Sequence, residues 1–324
     1  MRLILAISIL TAACFAQAPS EQIPADDAVR IHEFYRLASQ IQDQIWPHWS
    51  QTPTPVLLVT PNTEYLTHHP APPADFKKLR DEFYSRPRQF SPNLLATMPV
   101  FGPPSTIVVG EPKNTGSKTS TPWLITLMHE HFHQLQSAQP GYYMAVEALG
   151  LSRGDKTGMW MLNYPFPYTK PEVTQGFAQL RDLLLTALNE NDEAKFSRLA
   201  RQYVTVRKKF FEQLTPDDRK YLGFQLWQEG IARYTEIRVA EAAAKYQPTT
   251  EYAALADFET LNRYAPKPRE KALDELKYVD LGRSGRLAVY PFGAAEGFLL
   301  DRMNPVWRES YFKHMLSTDS FFEK

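Results

Sequence analysis

Cysteine is nearly missing from this chain: among 324 residues there is one, Cys14. It lies inside the apolar stretch Leu3 to Ala16 that follows Arg2, which is too short to span a bilayer and reads as a secretory signal peptide, residues 1–16. Cleavage after Ala16 removes Cys14, so the mature chain has no disulfide, no thiolate metal ligand and no cysteine nucleophile. A lipoprotein signal using Cys14 is the alternative, although Thr11 stands where such a signal carries Leu. Surplus charge is missing as well. The 36 basic and 36 acidic residues cancel, and no long-range field favours nucleic acid or an anionic membrane. No later run is long and apolar enough to cross a membrane. What remains is a secreted or periplasmic globular protein stabilised by packing, in keeping with 43% hydrophobic and 13% aromatic residues.

The pattern along the chain predicts an α+β fold that is mostly helical. Val29, Ile31, Phe34, Leu37, Ile41 and Ile45 recur at helical spacing, giving a first helix over 28–46. Val56 to Val59 and Ser105 to Gly110 are short apolar runs bounded by turn formers and read as buried strands, with a helix from Ala74 to Ser85 between them. Gly110 to Lys118 looks at first like a phosphate loop, but Ser117 separates Gly116 from Lys118 and the Gly-Lys-Ser/Thr entry is missing. Beyond Gly141 helices are expected over 171–188, 191–214, 216–245, 251–264 and 268–278. The aromatic and proline-rich insert Gly150 to Tyr168 suits either a pocket wall or a loop clamped on the core. No repeat or linker divides the chain, so residues 17–324 form one unit with a sheet-bearing lobe, 17–140, and a helical lobe, 141–324.

The chemistry concentrates in Leu124 to Leu135, where His129-Glu130-His131-Phe132-His133 sets His-Glu-x-x-His into an apolar helix. Thr121 as N-cap, Pro122 in the first turn and the stop Gln139-Pro140-Gly141 frame a helix of about four turns. Positions i and i+4 stack on one face, so His129 and His133 can close on one zinc ion while Glu130 reaches a metal-bound water. A catalytic zinc has three protein ligands, which leaves one to find. His131 faces the opposite side and reads as a packing residue or as a support behind the ligands. His68 and His69 lie in a proline-rich loop and read as mostly solvated. Glu147 is near and flanked by apolar residues, so it is an alternative. Glu229 is the best candidate, because Gly230 and Ala232 let its helix approach the His-Glu helix closely. Glu236, two turns on, could hold a histidine N–H; Arg233 could instead pair with Glu229 at i+4.

Together, His129-Glu130-His131-Phe132-His133 and the distant Glu229-Gly230-Ile231-Ala232 resemble the gluzincin-type zinc metallopeptidases, in which two histidines and a downstream glutamate hold zinc. The resemblance covers these two motifs and their order. Trp227 stands two residues before the ligand rather than three, and no Gly-x-Met-x-Asn strand precedes the helix, so aminopeptidase specificity is not implied. It implies a zincin-like fold, with a small N-terminal sheet, an active-site helix and a helical C-terminal lobe. It also implies Zn2+ on His129, His133 and Glu229, Glu130 as general base, and a peptide or protein substrate laid along an edge strand, for which Ser105 to Gly110 is the candidate. The resemblance further implies a downstream tyrosine or histidine as donor to the oxyanion: Tyr290, in a turn-like setting, is the choice, with Tyr234 and Tyr164 as alternatives. The competing functions are a zinc hydrolase of a non-peptide amide and a catalytically silent binding protein; an intact Glu130 argues against the second.

Overall fold

In a computed structural model of the chain, residues 22–79 and 82–323 are described. The signal peptide expected over 1–16 lies outside them. The protein is α+β, 59% helical, with one small mixed six-stranded sheet. Among the described residues no helix is long and apolar enough to cross a membrane.

The first helix, α1, runs Ala25–Ile45 and buries Ile31, Phe34, Leu37, Ile41 and Ile45, the stripe its spacing predicts. The strands are β1 (Val56–Val59), β2 (Thr63–Thr67), β3 (Lys77–Lys78), β4 (Phe83–Pro87), β5 (Leu95–Met98) and β6 (Thr106–Gly110). They lie in the order β3-β4-β2-β1-β6-β5, with β1 and β6 parallel and the other pairs antiparallel. Val56, Leu58, Tyr65, Ile107 and Val109 face the helices, while Leu57, Val59, Leu66 and Val108 pack on the far face with Phe76. Burial on both faces explains why β1 and β6 are continuous apolar runs.

Two expectations about this lobe need correction. The described residues of the segment Ala74 to Ser85 form no helix. Phe83 and Tyr84 pack on opposite faces of the sheet, the two-residue period of a strand, and β4 pairs along the whole of β2. Ser105 to Gly110 contains a strand, β6, but an interior one; the edge belongs to β5, which among the described residues pairs with β6 alone.

The remaining chain is helical: α2 (Ser120–Ser137), α3 (Tyr142–Ala148), the single turn α4 (Trp160–Asn163), α5 (Pro171–Leu188), α6 (Glu193–Gln213), α7 (Pro216–Gln225) and α8 (Ile231–Ala242). The short turns α9 (Thr250–Ala253) and α10 (Leu261–Tyr264) precede α11 (Lys267–Tyr278), α12 (Leu281–Ser284) and α13 (Val289–Met303). The helix expected over 251–264 is thus interrupted. Its middle is drawn onto the start of α2, where Asp257 accepts from Arg30 and Ser120 and the Glu259 carbonyl accepts from Thr121. Thr121 is accordingly inside α2, whose N-cap is Thr119.

The helix α2 is fastened to the sheet at both ends. The Trp123 indole donates to the Gly110 carbonyl at 2.9 Å, and the Gln134 amide donates to the carbonyls of Pro55 and Ser105 at 3.0 and 2.8 Å. Because those carbonyls flank β1 and β6, the sheet fixes the height and rotation of α2. That anchoring sets where His129 and His133 point.

Candidate metal centre

His129, Glu130 and His133 line the floor of an open cleft of about 1900 Å³. Each is less than a tenth exposed. The two Nε2 atoms face each other at 3.1 Å, and Glu229 Oε2 lies 3.5 Å from His133 Nε2. Among the described residues these three form the group able to hold a metal, their ligand atoms all within 4.8 Å of one another. Four tetrahedral donors at ~2.0–2.2 Å from zinc stand about 3.4 Å apart, so the spacing fits.

The tautomers fit as well. The Gln136 side-chain nitrogen donates to the Trp227 carbonyl at 3.0 Å, the Gln228 carbonyl at 3.1 Å and the Tyr311 hydroxyl at 3.0 Å, which fixes its amide and turns Oε1 toward His133 Nδ1 at 2.7 Å. His133 Nδ1 therefore carries a hydrogen, and Nε2 is the atom turned toward His129 and Glu229. Gln228 Nε2 also lies 3.1 Å from Nδ1, but one ring nitrogen cannot donate to Gln136 and accept from Gln228 at once; the shorter contact decides. On His129, Glu236 Oε2 sits 3.2 Å from Nδ1, off the line of the N–H, and a carboxylate can only accept. A proton on His133 Nε2 satisfies the 3.1 Å contact with His129 Nε2, and a metal ion held by both atoms would take its place. Glu236 itself is held by Arg233 at 2.6 Å, so the i+4 pairing of Arg233 with Glu229 does not form.

Charges follow this arrangement. Burial alone would lower His133, but the Glu229 carboxylate, and behind it Glu130, raise it to about 9. Burial would raise Glu229, yet His133, His129 and Arg286 bring it down to about 2. Burial likewise opposes ionisation of Glu236, and Arg233 with His129 lowers it to about 2.

Glu229 arrives by a route the sequence did not disclose. It lies in a π-helical turn, Leu226–Gly230, joining α7 to α8. Such a turn adds a residue to the helix and leaves carbonyls without their usual partners. Here Gln136 and the Tyr311 hydroxyl supply the donors, the latter reaching the Trp227 carbonyl at 2.5 Å. Gly230 does permit a close helix crossing, but with α13 rather than α2: a methyl on Gly230 would stand 2.7 Å from Gly293 Cα.

The other candidates separate cleanly. Glu147 is exposed and outside the ligand group, although it lines the cleft. His131 faces away, between Gln42 at 2.9 Å and Gln134 at 3.0 Å, with burial lowering its pKa to about 4. His68 is exposed with its ring tilted against that of Tyr35, whereas His69, expected in solvent, is buried against Phe101. Tyr234 donates to Asp301 and Tyr164 to Asp218, so both hydroxyls are committed elsewhere. Tyr290 is in the first turns of α13, not a turn-like loop, and lines the cleft with its ring 6.4 Å from that of His129. Burial and the Glu229 charge push its hydroxyl pKa up, so it is a donor. The insert over 150–168 contributes cleft wall, including Met159, Trp160 and Leu162.

Three contributors were not foreseen: Gln136, Thr97 and Arg286. Gln136 stands at i+3 from His133, a spacing that could have revealed it. Thr97 is on β5 and its hydroxyl lies 2.8 Å from Glu130 Oε2 and 2.9 Å from the Glu130 carbonyl. Arg286 stands four residues before Tyr290 and lines the same wall. No family model, curated protein or solved structure matches this chain.

Proposed function

We propose that this protein is a secreted or periplasmic zinc-dependent peptidase with a zincin-like fold, its metal held by His129, His133 and Glu229. The observation that carries the reading is the pair of facing Nε2 atoms, 3.1 Å apart, with His133 oriented by Gln136, Glu236 beside His129 Nδ1 and a third donor at 3.5 Å. Bound zinc supplies the Lewis acidity that makes water a nucleophile near neutral pH. Glu130, next to the ligands and facing the cleft, is the general base. Thr97 occupies Oε2, so Oε1 receives the proton and passes it to the leaving amine. Tyr290 donates to the oxygen of the attacked carbonyl.

A peptide substrate is favoured over a small amide by the cleft wall. The edge strand β5 contributes all four of its residues, Leu95 to Met98, and its outer edge has no strand partner among the described residues, so an extended backbone can add to it. Exposed apolar side chains gather there too: Tyr143, Met159, Leu162, Tyr278 and Leu287 all line the cleft. Such clustering marks a binding surface rather than ordinary surface composition.

Metal analysis and proteolysis of the wild type and Glu130→Gln test the reading. Both proteins should carry one zinc, and only the wild type should hydrolyse unfolded casein. Absence of zinc from both would sink the proposal.

A further inference from the structure

Arg286 stands beside the metal centre without being saturated by it. Its Nη1 makes three long contacts, to the Tyr290 hydroxyl at 3.2 Å, Gln225 Oε1 at 3.5 Å and Glu229 Oε1 at 3.7 Å. Nε and Nη2 bond to none of the described residues. A guanidinium offers five N–H donors in one plane, matched to paired oxygens of an anion. The side chain is 20% exposed and lines the cleft, so the unused donors are open to a ligand. The other cations of the wall differ. Arg233 is bound to Glu236 at 2.6 Å and Lys267 to Glu259 at 2.5 Å, while Lys156, Lys271 and Arg283 are exposed to water.

Glu229 does not account for Arg286. The two are 3.7 Å apart through single atoms, and the other Glu229 oxygen is turned toward His133. Nη1 donates to the Tyr290 oxygen, which sends the hydroxyl hydrogen away from Arg286 and toward Glu229, and leaves the guanidinium edge beside it free for a ligand.

We infer that Arg286 is the anion receptor of the cleft, its free donors acting on a substrate oxyanion. That oxyanion is either the terminal carboxylate of a peptide or the oxygen of the attacked carbonyl as it gains negative charge. The inference rests on the hydrolase reading of the same site. In a partly enclosed cleft either charge interacts with a guanidinium more strongly than it does in water.

Two probes distinguish the sources without relying on turnover. One is an N-acyl dipeptide with a free terminal carboxylate; the other is a C-terminally amidated phosphonate dipeptide, whose phosphonyl oxygens copy the carbonyl oxyanion. Each is titrated into zinc-loaded wild type, Arg286→Lys and Arg286→Met, with zinc measured on the same samples. Arg286→Met should weaken at least one probe by about tenfold or more, Arg286→Lys should recover part of it, and zinc content should not change. A loss confined to the carboxylate probe identifies terminal-carboxylate recognition, and so exopeptidase action. A loss confined to the phosphonate identifies the oxyanion, in which case kcat on amidated peptides falls roughly 10²–10³-fold while KM stays within about threefold. Equal binding by Arg286→Met and wild type, binding of neither probe to wild type, or loss of zinc from both variants overturns the inference. Failure of the hydrolase reading shows separately, as a wild type that binds no zinc or, zinc-loaded, cleaves no peptide.

Discussion

Thr97 bridges the edge strand and the base: its hydroxyl sits 2.8 Å from Glu130 Oε2 and 2.9 Å from the Glu130 carbonyl. One hydroxyl hydrogen cannot serve both acceptors at full strength, and the charged one binds it better. The strand that would carry a peptide backbone therefore also holds the carboxylate that would take its proton. Thr97→Val should lower kcat roughly 10–100-fold, the equivalent of a hydrogen bond to a charged group, with metal content unchanged. Thr97→Ser should recover most of the loss. A Val variant as active as wild type would show that the β5 contact is incidental.

Gln136 links two ligands through one amide, with Oε1 on His133 and Nε2 on the carbonyls of the π turn that presents Glu229. Gln136→Leu should weaken zinc binding by about 10–100-fold, measured by competition with a chromophoric chelator. Tyr311→Phe provides the comparison. It removes one donor to the Trp227 carbonyl but leaves His133 oriented, so its effect on zinc affinity should be smaller. Equal losses in the two variants would mean that the turn, not the histidine tautomer, controls affinity.

The legible and illegible parts of this site divide by the range of the interactions that form them. His129, Glu130 and His133 follow from helix periodicity alone, which is local, and the structure puts both rings on one side of α2. Glu229 stood out because Gly230 is costly inside a helix. The reason lay elsewhere, in the contact with Gly293, because the sequence does not say which helix a glycine meets. The π turn was hidden, since it is stabilised by donors from Gln136 and Tyr311, far away in sequence. Residues 74–85 carry helix-forming Lys, Leu, Arg and Glu, yet pairing with β2 and burial of Phe83 prevail. Thr97 was lost for a related reason: β5 is four residues long, half-buried throughout and shows no alternation.

The crossing at Gly230 and Gly293 predicts a stability effect of known direction. Gly230→Ala puts a methyl 2.7 Å from Gly293 Cα and 3.1 Å from the Val289 carbonyl, all backbone that cannot rotate aside. Overpacking of this kind costs about 1–3 kcal/mol, seen as a lower urea midpoint. Gly223→Ala is the matched control. Its new methyl meets nothing nearer than 3.5 Å, and a mid-helix glycine replaced by alanine gains up to ~1 kcal/mol. If both variants shift the same way, the close crossing is not what Gly230 provides.

The pairing of His133 with Glu229 predicts how pH acts on the metal-free protein. His133 is raised from 6.5 to about 9, so its stabilising contribution is fully present below pH 6.5 and is lost as pH rises through about 9. Glu229 is lowered from 4.5 to about 2, so its contribution is present above pH 4.5 and is lost as pH falls toward 2. These are two views of one interaction, counted once, and they place its full effect between about pH 4.5 and 6.5. Urea midpoints of metal-free protein should therefore fall between pH 6.5 and 9.5, and Glu229→Gln should flatten that dependence. Zinc must displace the same proton, so its affinity should climb about tenfold per pH unit up to about 9 and level off above. A zinc affinity already constant from pH 7 upward would show that His133 enters the site as a neutral ring.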